Sequence, residues 1–200
     1  LDFRGDRAMV YQLNIRQGPR VVTAIPSVGR RGETRSVEFV GFGIATGQSK
    51  LESVRRDVTF PDGTNSDSFG YQLTTEHGDC PHFRLHLSDE LQQNENVSSL
   101  AVPGGITGVL DQRFGEDRYQ IVGKKGDLWT VAVSSEKTGS LVDAALTIYD
   151  LEGKQLARND DQTDSTDAEI EFTVPADGEY TVSVTDVASQ SGTRAATYHL

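Results

Sequence analysis

The stretch Ala168–Asp186 reads AEIEFTVPADGEYTVSVTD. Ile170, Phe172 and Val174 alternate with Glu169, Glu171 and Thr173. After Pro175-Ala176-Asp177-Gly178, Tyr180, Val182 and Val184 alternate with Glu179, Thr181 and Ser183. A period of two puts all the apolar residues on one face of an extended chain, which is what a half-buried β-strand needs. Asp177-Gly178 supplies the turn between the two runs.

The same reading extends outward. Tyr11, Leu13 and Ile15 share a face in Val10–Ile15, and Trp129, Val131 and Val133 share one in Asp127–Ser135. Further strands are predicted near Arg20–Ile25, Arg35–Phe42, Val54–Phe60, Phe69–Thr75, His82–Leu87, Ile106–Asp111, Arg118–Val122 and Ala145–Asp150. Pro61-Asp62-Gly63, Lys125-Gly126-Asp127 and Leu151-Glu152-Gly153 separate them as turns. Only Ser88–Val97 offers a helical turn or two. Many short strands with regular turns point to an all-β protein built from sandwiches.

The 200 residues suffice for two domains of about 100 residues each. Charge supports the division. Residues 1–90 hold 11 Lys/Arg against 12 Asp/Glu, whereas residues 91–200 hold 8 against 18, together giving the net −11. We place the boundary in the polar stretch Leu91–Ala101, so that residues 1–90 form a first β-sandwich and 91–200 a second. An acidic second half repels nucleic acid and anionic membranes. No apolar run is long enough to span a bilayer as a helix. No secretory leader is visible, and the chain reads as a fragment of something larger. Cys80 is the sole cysteine, so an internal disulfide is excluded.

The first and last strands rhyme. DRAMVYQL, residues 6–13, and TRAATYHL, residues 193–200, share Arg, Ala, Tyr and Leu at a constant offset of 187. We read residues 1–15 as the last strand of a preceding copy of the C-terminal unit, in a tandem array.

Residues 92–200 resemble the bacterial pre-peptidase C-terminal (PPC) domain. The motifs that carry the resemblance are Asp117-x-Tyr119-x-Ile121, Lys124-x-Gly126-x-x-Trp129, the run from Leu141 to Gly153, Asn159-Asp160-Asp161, and Ala176 to Val184. Tyr198-His199-Leu200 matches the family's closing Tyr-x-Leu strand. The resemblance implies a jelly-roll-like sandwich. The stretch AIPSVGRRGETRSVEFVGFGI, through Ile25-Pro26, Gly29, Gly32, Val37, Phe39, Gly41 and Phe42, resembles immunoglobulin-like domains of the IPT/TIG type. Together these imply a bacterial, secreted multidomain protein, at the cell surface, in the periplasm or outside the cell.

Candidate chemistry is sparse. Some modules of the family bind calcium through the linker and the acidic turn after it, which implies Asn94, Glu95, Asn96, Glu116 and Asp117 as ligands here. The acidic loop Asn159–Asp167 adds Asp160, Asp161 and Asp164, because Ca²⁺ takes six to eight oxygens. His77, Asp79, Cys80, His82 and His86 include zinc-ligating residue types. A strand over 82–87, however, sets His82 and His86 about 13 Å apart and turns both to solvent. Arg30, Arg31, Arg35, Arg55 and Arg56 form a basic group, to be paired with Glu33, Glu38, Glu52 and Asp57 or to dock an anionic partner. No nucleophile, phosphate-loop or metalloprotease motif is present.

The expectation is therefore no enzyme. The chain reads as a non-catalytic accessory, adhesion or spacer module, with calcium as the implied ion. Its partners would be extracellular protein or glycan and the other domains of its own chain. The alternative is a glycan-active enzyme with paired carboxylates between the domains, which would need to stand about 5–9.5 Å apart.

Overall fold

The computed structural model describes residue 15 and residues 17–200, except 95, 164, 189 and 190. The expected strand over Val10–Ile15, including Tyr11-Gln12-Leu13 of the terminal rhyme, lies outside the described residues, as do the calcium candidates Glu95 and Asp164.

The described residues form seventeen strands and no helix. In the first half they are β1 (Arg20–Ile25), β2 (Val28–Arg30), β3 (Thr34–Phe42), β4 (Leu51–Thr59), β5 (Ser68–Tyr71), β6 (Thr74–Thr75), β7 (Gly78–Asp79) and β8 (Phe83–Ser88). In the second they are β9 (Gln92–Gln93), β10 (Gly105–Val109), β11 (Glu116–Gly123), β12 (Leu128–Ala132), β13 (Ala144–Tyr149), β14 (Gln155–Asn159), β15 (Glu169–Thr173), β16 (Gly178–Asp186) and β17 (Thr197–His199). The all-β, sandwich-type reading holds. The stretch considered for a helical turn instead contains β9, which runs parallel to β10.

Sheets β1-β3-β4 and β2-β8-β5 enclose one core, with Phe39, Phe60, Leu73 and Leu85 fully buried at its centre. Phe39 stacks on Tyr71 at 4.9 Å between ring centroids, and Phe60 meets Phe69 edge-on. Sheet β11-β16-β13-β14 packs over β12-β15 and β17-β10-β9 to enclose a second core. There Trp129 packs against Phe172 and stands edge-on to Tyr180. Tyr180 Oη donates to the carbonyl of Ala176 at 2.7 Å, which satisfies the polar tip of an otherwise buried ring.

Several strands depart from simple alternation. Residues 37–41 of β3 are all buried, as are every residue of β10 and the first five residues of β13. Val37 and Phe39 of β3 face the first core. Val40 turns the other way, into a small apolar cluster with Ile25, Val109 and Ala195. Both faces of β3 are covered because the second half lies against it.

Candidate functional site

Alternation along β11 determines which carboxylates can act together. Glu116 and Arg118 point outward, and Tyr119 and Ile121 are buried. Asp117 lies on the inward side with Tyr119. Across the sandwich, β17 presents Tyr198, whose side chain is fully buried. Gly108 of β10 stands opposite Tyr198 in register, and a Cβ at that position would run into the Tyr198 ring and hydroxyl. Glycine is what lets this ring cross the sheet. Tyr198 Oη donates to Asp117 Oδ2 at 2.6 Å. Its own oxygen then takes the proton of Tyr119 Oη, also at 2.6 Å. Burial first, then the neighbouring Tyr119 and the Asp117 charge, raise the Tyr198 hydroxyl far above a normal phenol, so it stays a donor.

Asp117 opens onto a cleft of about 320 Å³ whose rim includes Asn96, Ser98 and Asp111. Asn96 reaches the rim with a left-handed backbone, φ 73°. Of the implied calcium ligands, the fold therefore brings Asn96 and Asp117 to one cleft. Asn94 is turned away and its Oδ1 accepts from Arg35 Nη2 at 2.6 Å. Glu116 lies on the opposite face, where it accepts from Ser183 Oγ at 2.5 Å and pairs with Arg118 Nε at 3.0 Å.

The acidic loop forms a separate corner. Asp160 pairs with Arg158 at 3.7 Å, and the Asp161 N–H donates to Asn159 Oδ1 at 2.9 Å. Two further carboxylates join this corner from elsewhere in the chain. Asp186 Oδ1 accepts the Asp143 N–H at 3.3 Å, and Asp186 Oδ2 accepts the Ser191 N–H at 2.6 Å. Desolvation first, then the charges of Asp161, Asp186 and Asp160, push the Asp143 carboxyl up. Its Oδ1 is buried with no hydrogen-bond partner. Asp143 stands inside the Leu141–Gly153 motif, so the sequence contained it; its convergence with Asp161 did not show there. Among the described residues no three His, Cys, Asp or Glu side chains are arranged to hold a metal ion.

The zinc-type residues do not converge. His77 Nε2 bonds the Ala45 carbonyl at 3.1 Å, and Asp79 Oδ1 accepts from Thr74 Oγ1 at 2.8 Å. Cys80 is buried, which raises its thiol pKa. The solvent-facing expectation for His86 is corrected: it is buried, with the Lys137 charge of the second half beside it.

That burial belongs to a polar seam between the two halves. Thr23 Oγ1 and Thr197 Oγ1, both fully buried, are 2.7 Å apart. The Ser27 N–H donates to Thr107 Oγ1 at 3.1 Å. Glu38, its side chain only 10% exposed, is gripped from both sides. Arg194 Nη2 and Nε donate to its two oxygens at 3.0 and 3.3 Å, and Arg55 Nη2 donates at 3.1 Å. The Arg194 hydrogen bond above all, against desolvation by burial, holds the Glu38 carboxyl below its ordinary range. His199 Nε2 lies 2.8 Å from Gln92 Oε1. Burial first, then His86 and Lys137, push the His199 imidazole down to about 4. The basic group is thus largely paired. Arg31 meets Asp89 at 3.0 Å, Arg35 meets Glu33 at 3.5 Å, and Arg55 meets Glu38. The seam was missed from sequence because its residues are spread from Thr23 to His199.

Residues 115–186 match the family model of the bacterial pre-peptidase C-terminal domain. Among solved structures, the chain is similar to the pre-peptidase C-terminal domain of a collagenase from Bacillus anthracis. The identity is 17%, covering 54% of this chain and 94% of that one, with a TM-score of 0.40. It is also similar to a structure of CBM51-2 in complex with GlcNAc and INT domains from Clostridium perfringens ZmpB. There the identity is 13%, covering 84% of this chain and 38% of that one, with a TM-score of 0.30. No curated protein matches. Over residues 115–186 the chain carries the pattern of the bacterial pre-peptidase C-terminal domain, the family its own strand motifs resemble.

Proposed function

We propose that this chain is a non-catalytic two-module unit of a larger exported bacterial protein. Its division is residues 1–90 and 91–200, and it holds neighbouring parts of that protein at a set orientation while contacting extracellular protein or glycan. The observation that carries this reading is the seam. Glu38 lies between the modules, and a carboxylate there would be the starting point for the rival glycan-active enzyme. It is instead bound by Arg194 and Arg55, with its charge neutralised. A general acid needs a raised pKa, and Glu38 is shifted the other way. Its partners make it a structural tie. Buried hydroxyl pairs and the Ile25–Val40–Val109–Ala195 cluster add direction and apolar contact, which is what a stiff joint requires.

Calcium at the Asn96–Asp117 cleft is part of the proposal. A carboxylate, an amide oxygen and the nearby Asp111 supply the hard oxygens the ion prefers.

The test combines three measurements on the same protein. X-ray scattering of the wild-type chain and of Glu38→Ala reports whether breaking the seam loosens the pair. Turnover is assayed on a panel of peptides and polysaccharides. The melting temperature is followed with and without millimolar Ca²⁺. A compact pair that loosens in Glu38→Ala, with no turnover, supports the module. Turnover abolished by Glu38→Gln would establish the enzyme instead. A melting temperature indifferent to Ca²⁺ removes the calcium part and leaves the rest standing.

A further inference from the structure

Strand β12 has an open edge. On one side it is fully paired with β15. On the other it makes one antiparallel contact just past its C-terminal end, where Ser134 and His199 exchange N–H···O bonds of 2.8 Å each. In this ladder Val133 and Asp127 bond toward β15. Alternation therefore turns the backbone groups of Leu128, Thr130 and Ala132 to the other side. Among the described residues no strand lies beside them. A slot of about 430 Å³ occupies that place. Trp129 and Val131 line it, as do Pro103 and Gly104, Ile121 and Leu200. An open edge bordering an apolar slot is a template for another extended segment.

The neighbouring hydrogen bonds fix what register such a segment takes. Leu200 exchanges both backbone bonds with Ile106 of β10, at 2.8 and 2.9 Å. His199 bonds toward β12, so the two sides alternate along β17 as they must in a sheet. A segment running on from Leu200 would place its first residue opposite Ala132 and its third opposite Thr130. Its second residue would face the core, on the side of Tyr198 and Leu200, within the slot. The terminal rhyme names the kind of residue that suits. Tyr11-Gln12-Leu13 aligns with Tyr198-His199-Leu200 and is followed by Asn14-Ile15-Arg16-Gln17. The second of these is apolar, and Ile15 is itself 87% exposed.

We propose that the slot between β12 and residues 100–104 is a strand-acceptor site. Its occupant is an extended segment running on from Leu200, with a polar first and an apolar second residue. The segment lengthens β17 and joins it to β12, closing the sheet β15-β12-β17-β10-β9.

The experiment compares the 200-residue chain with two extended forms. One carries Asn-Ile-Arg-Gln after Leu200 and the other carries Asn-Asp-Arg-Gln. Melting temperature and amide hydrogen exchange at Thr130 and Ala132 are the readouts. The Ile form is expected to melt at least about 4 °C higher and to slow those two amides by about tenfold or more. The Asp form is expected to do neither. Equal behaviour of the two extensions, or no protection at Thr130 and Ala132 in the Ile form, overturns the proposal. Protection that already exists in the unextended chain and grows with protein concentration would assign the slot to a second copy, which also overturns it.

Discussion

Replacing Tyr198 with Phe isolates one oxygen at the centre of the second core. That hydroxyl donates to Asp117 and accepts from Tyr119, both at 2.6 Å, and the ring around it is fully buried. Phenylalanine keeps the ring, so the fit over Gly108 is unchanged and no large cavity forms. The loss is two hydrogen bonds, one of them to a carboxylate. A neutral bond contributes about 1 kcal/mol net and one to a charged group about 1.5–3 kcal/mol. The expected cost is therefore about 3 kcal/mol. If the chain melts as one unit, this lowers the melting temperature by about 6–9 °C, and by roughly twice that if the second half melts alone. Urea titration followed by Trp129 fluorescence gives the free energy directly, because Trp129 is the sole tryptophan and lies in the same core. Tyr180→Phe, which removes a bond to the Ala176 carbonyl at 2.7 Å and a longer one from the Ala176 N–H at 3.3 Å, neither to a charged group, is the control and should cost about 1–2 kcal/mol. A Tyr198→Phe protein within about 0.5 kcal/mol of wild type would refute the argument that the Tyr119–Tyr198–Asp117 chain stabilises this sandwich.

The pH dependence has a defined direction. His199 is held neutral in the folded protein, with its pKa lowered to about 4, so unfolding takes up a proton below the ordinary histidine value. Stability is full above about 6.5 and falls as pH drops toward 4, by at most about 3 kcal/mol from this group. Melting curves from pH 7.5 to 4.5 should show the fall, and His199→Gln should flatten it; an unchanged slope would refute it. Glu38→Gln removes the Arg194–Arg55 tie and should cost about 2–3 kcal/mol, read as earlier and less coupled melting of the two halves. Asp143→Asn should raise the melting temperature at pH 7 in metal-free buffer, because the carboxyl it replaces is held among Asp161, Asp186 and Asp160. Gly108→Ala forces a Cβ into the Tyr198 ring and should destabilise by about 2 kcal/mol or more, checked by the same urea titration.

Strand identity was legible wherever one face meets water. In β16 the alternation of Tyr180, Val182 and Val184 with polar partners gives the limits Gly178–Asp186 directly. β1 likewise matches its expected range, Arg20–Ile25. Very short strands were not legible. β2, β7 and β9 have two or three residues each, too few for a period to register; β2 and β9 pair with the longer β8 and β10, and β7 with the equally short β6. The rhyme of Tyr11-Gln12-Leu13 with Tyr198-His199-Leu200 is a property of the sequence, and only the Tyr198 member lies in the described fold.

The candidate site divides along the same line. Sequence marked Asn96, Asp117, Asp160 and Asp161 as oxygen donors, since residue type can be read from a string. Which of them meet depends on the parity of each strand and on what crosses it. Adjacent Glu116 and Asp117 part to opposite faces, while Asp143, just before β13, and Asp186, at the end of β16, come to the acidic loop from either side of it in the chain. His86 was read as solvent-facing and Glu38 as a partner for the arginine group; the second half covers both and adds Arg194 to the Glu38–Arg55 pair. Alternating polarity, a local property, was enough to dictate sheets. The seam, the Tyr119–Tyr198–Asp117 chain and the slot beside β12 depend on pairs separated by 65 to 174 residues, and such contacts exist only once the sheets have closed on one another.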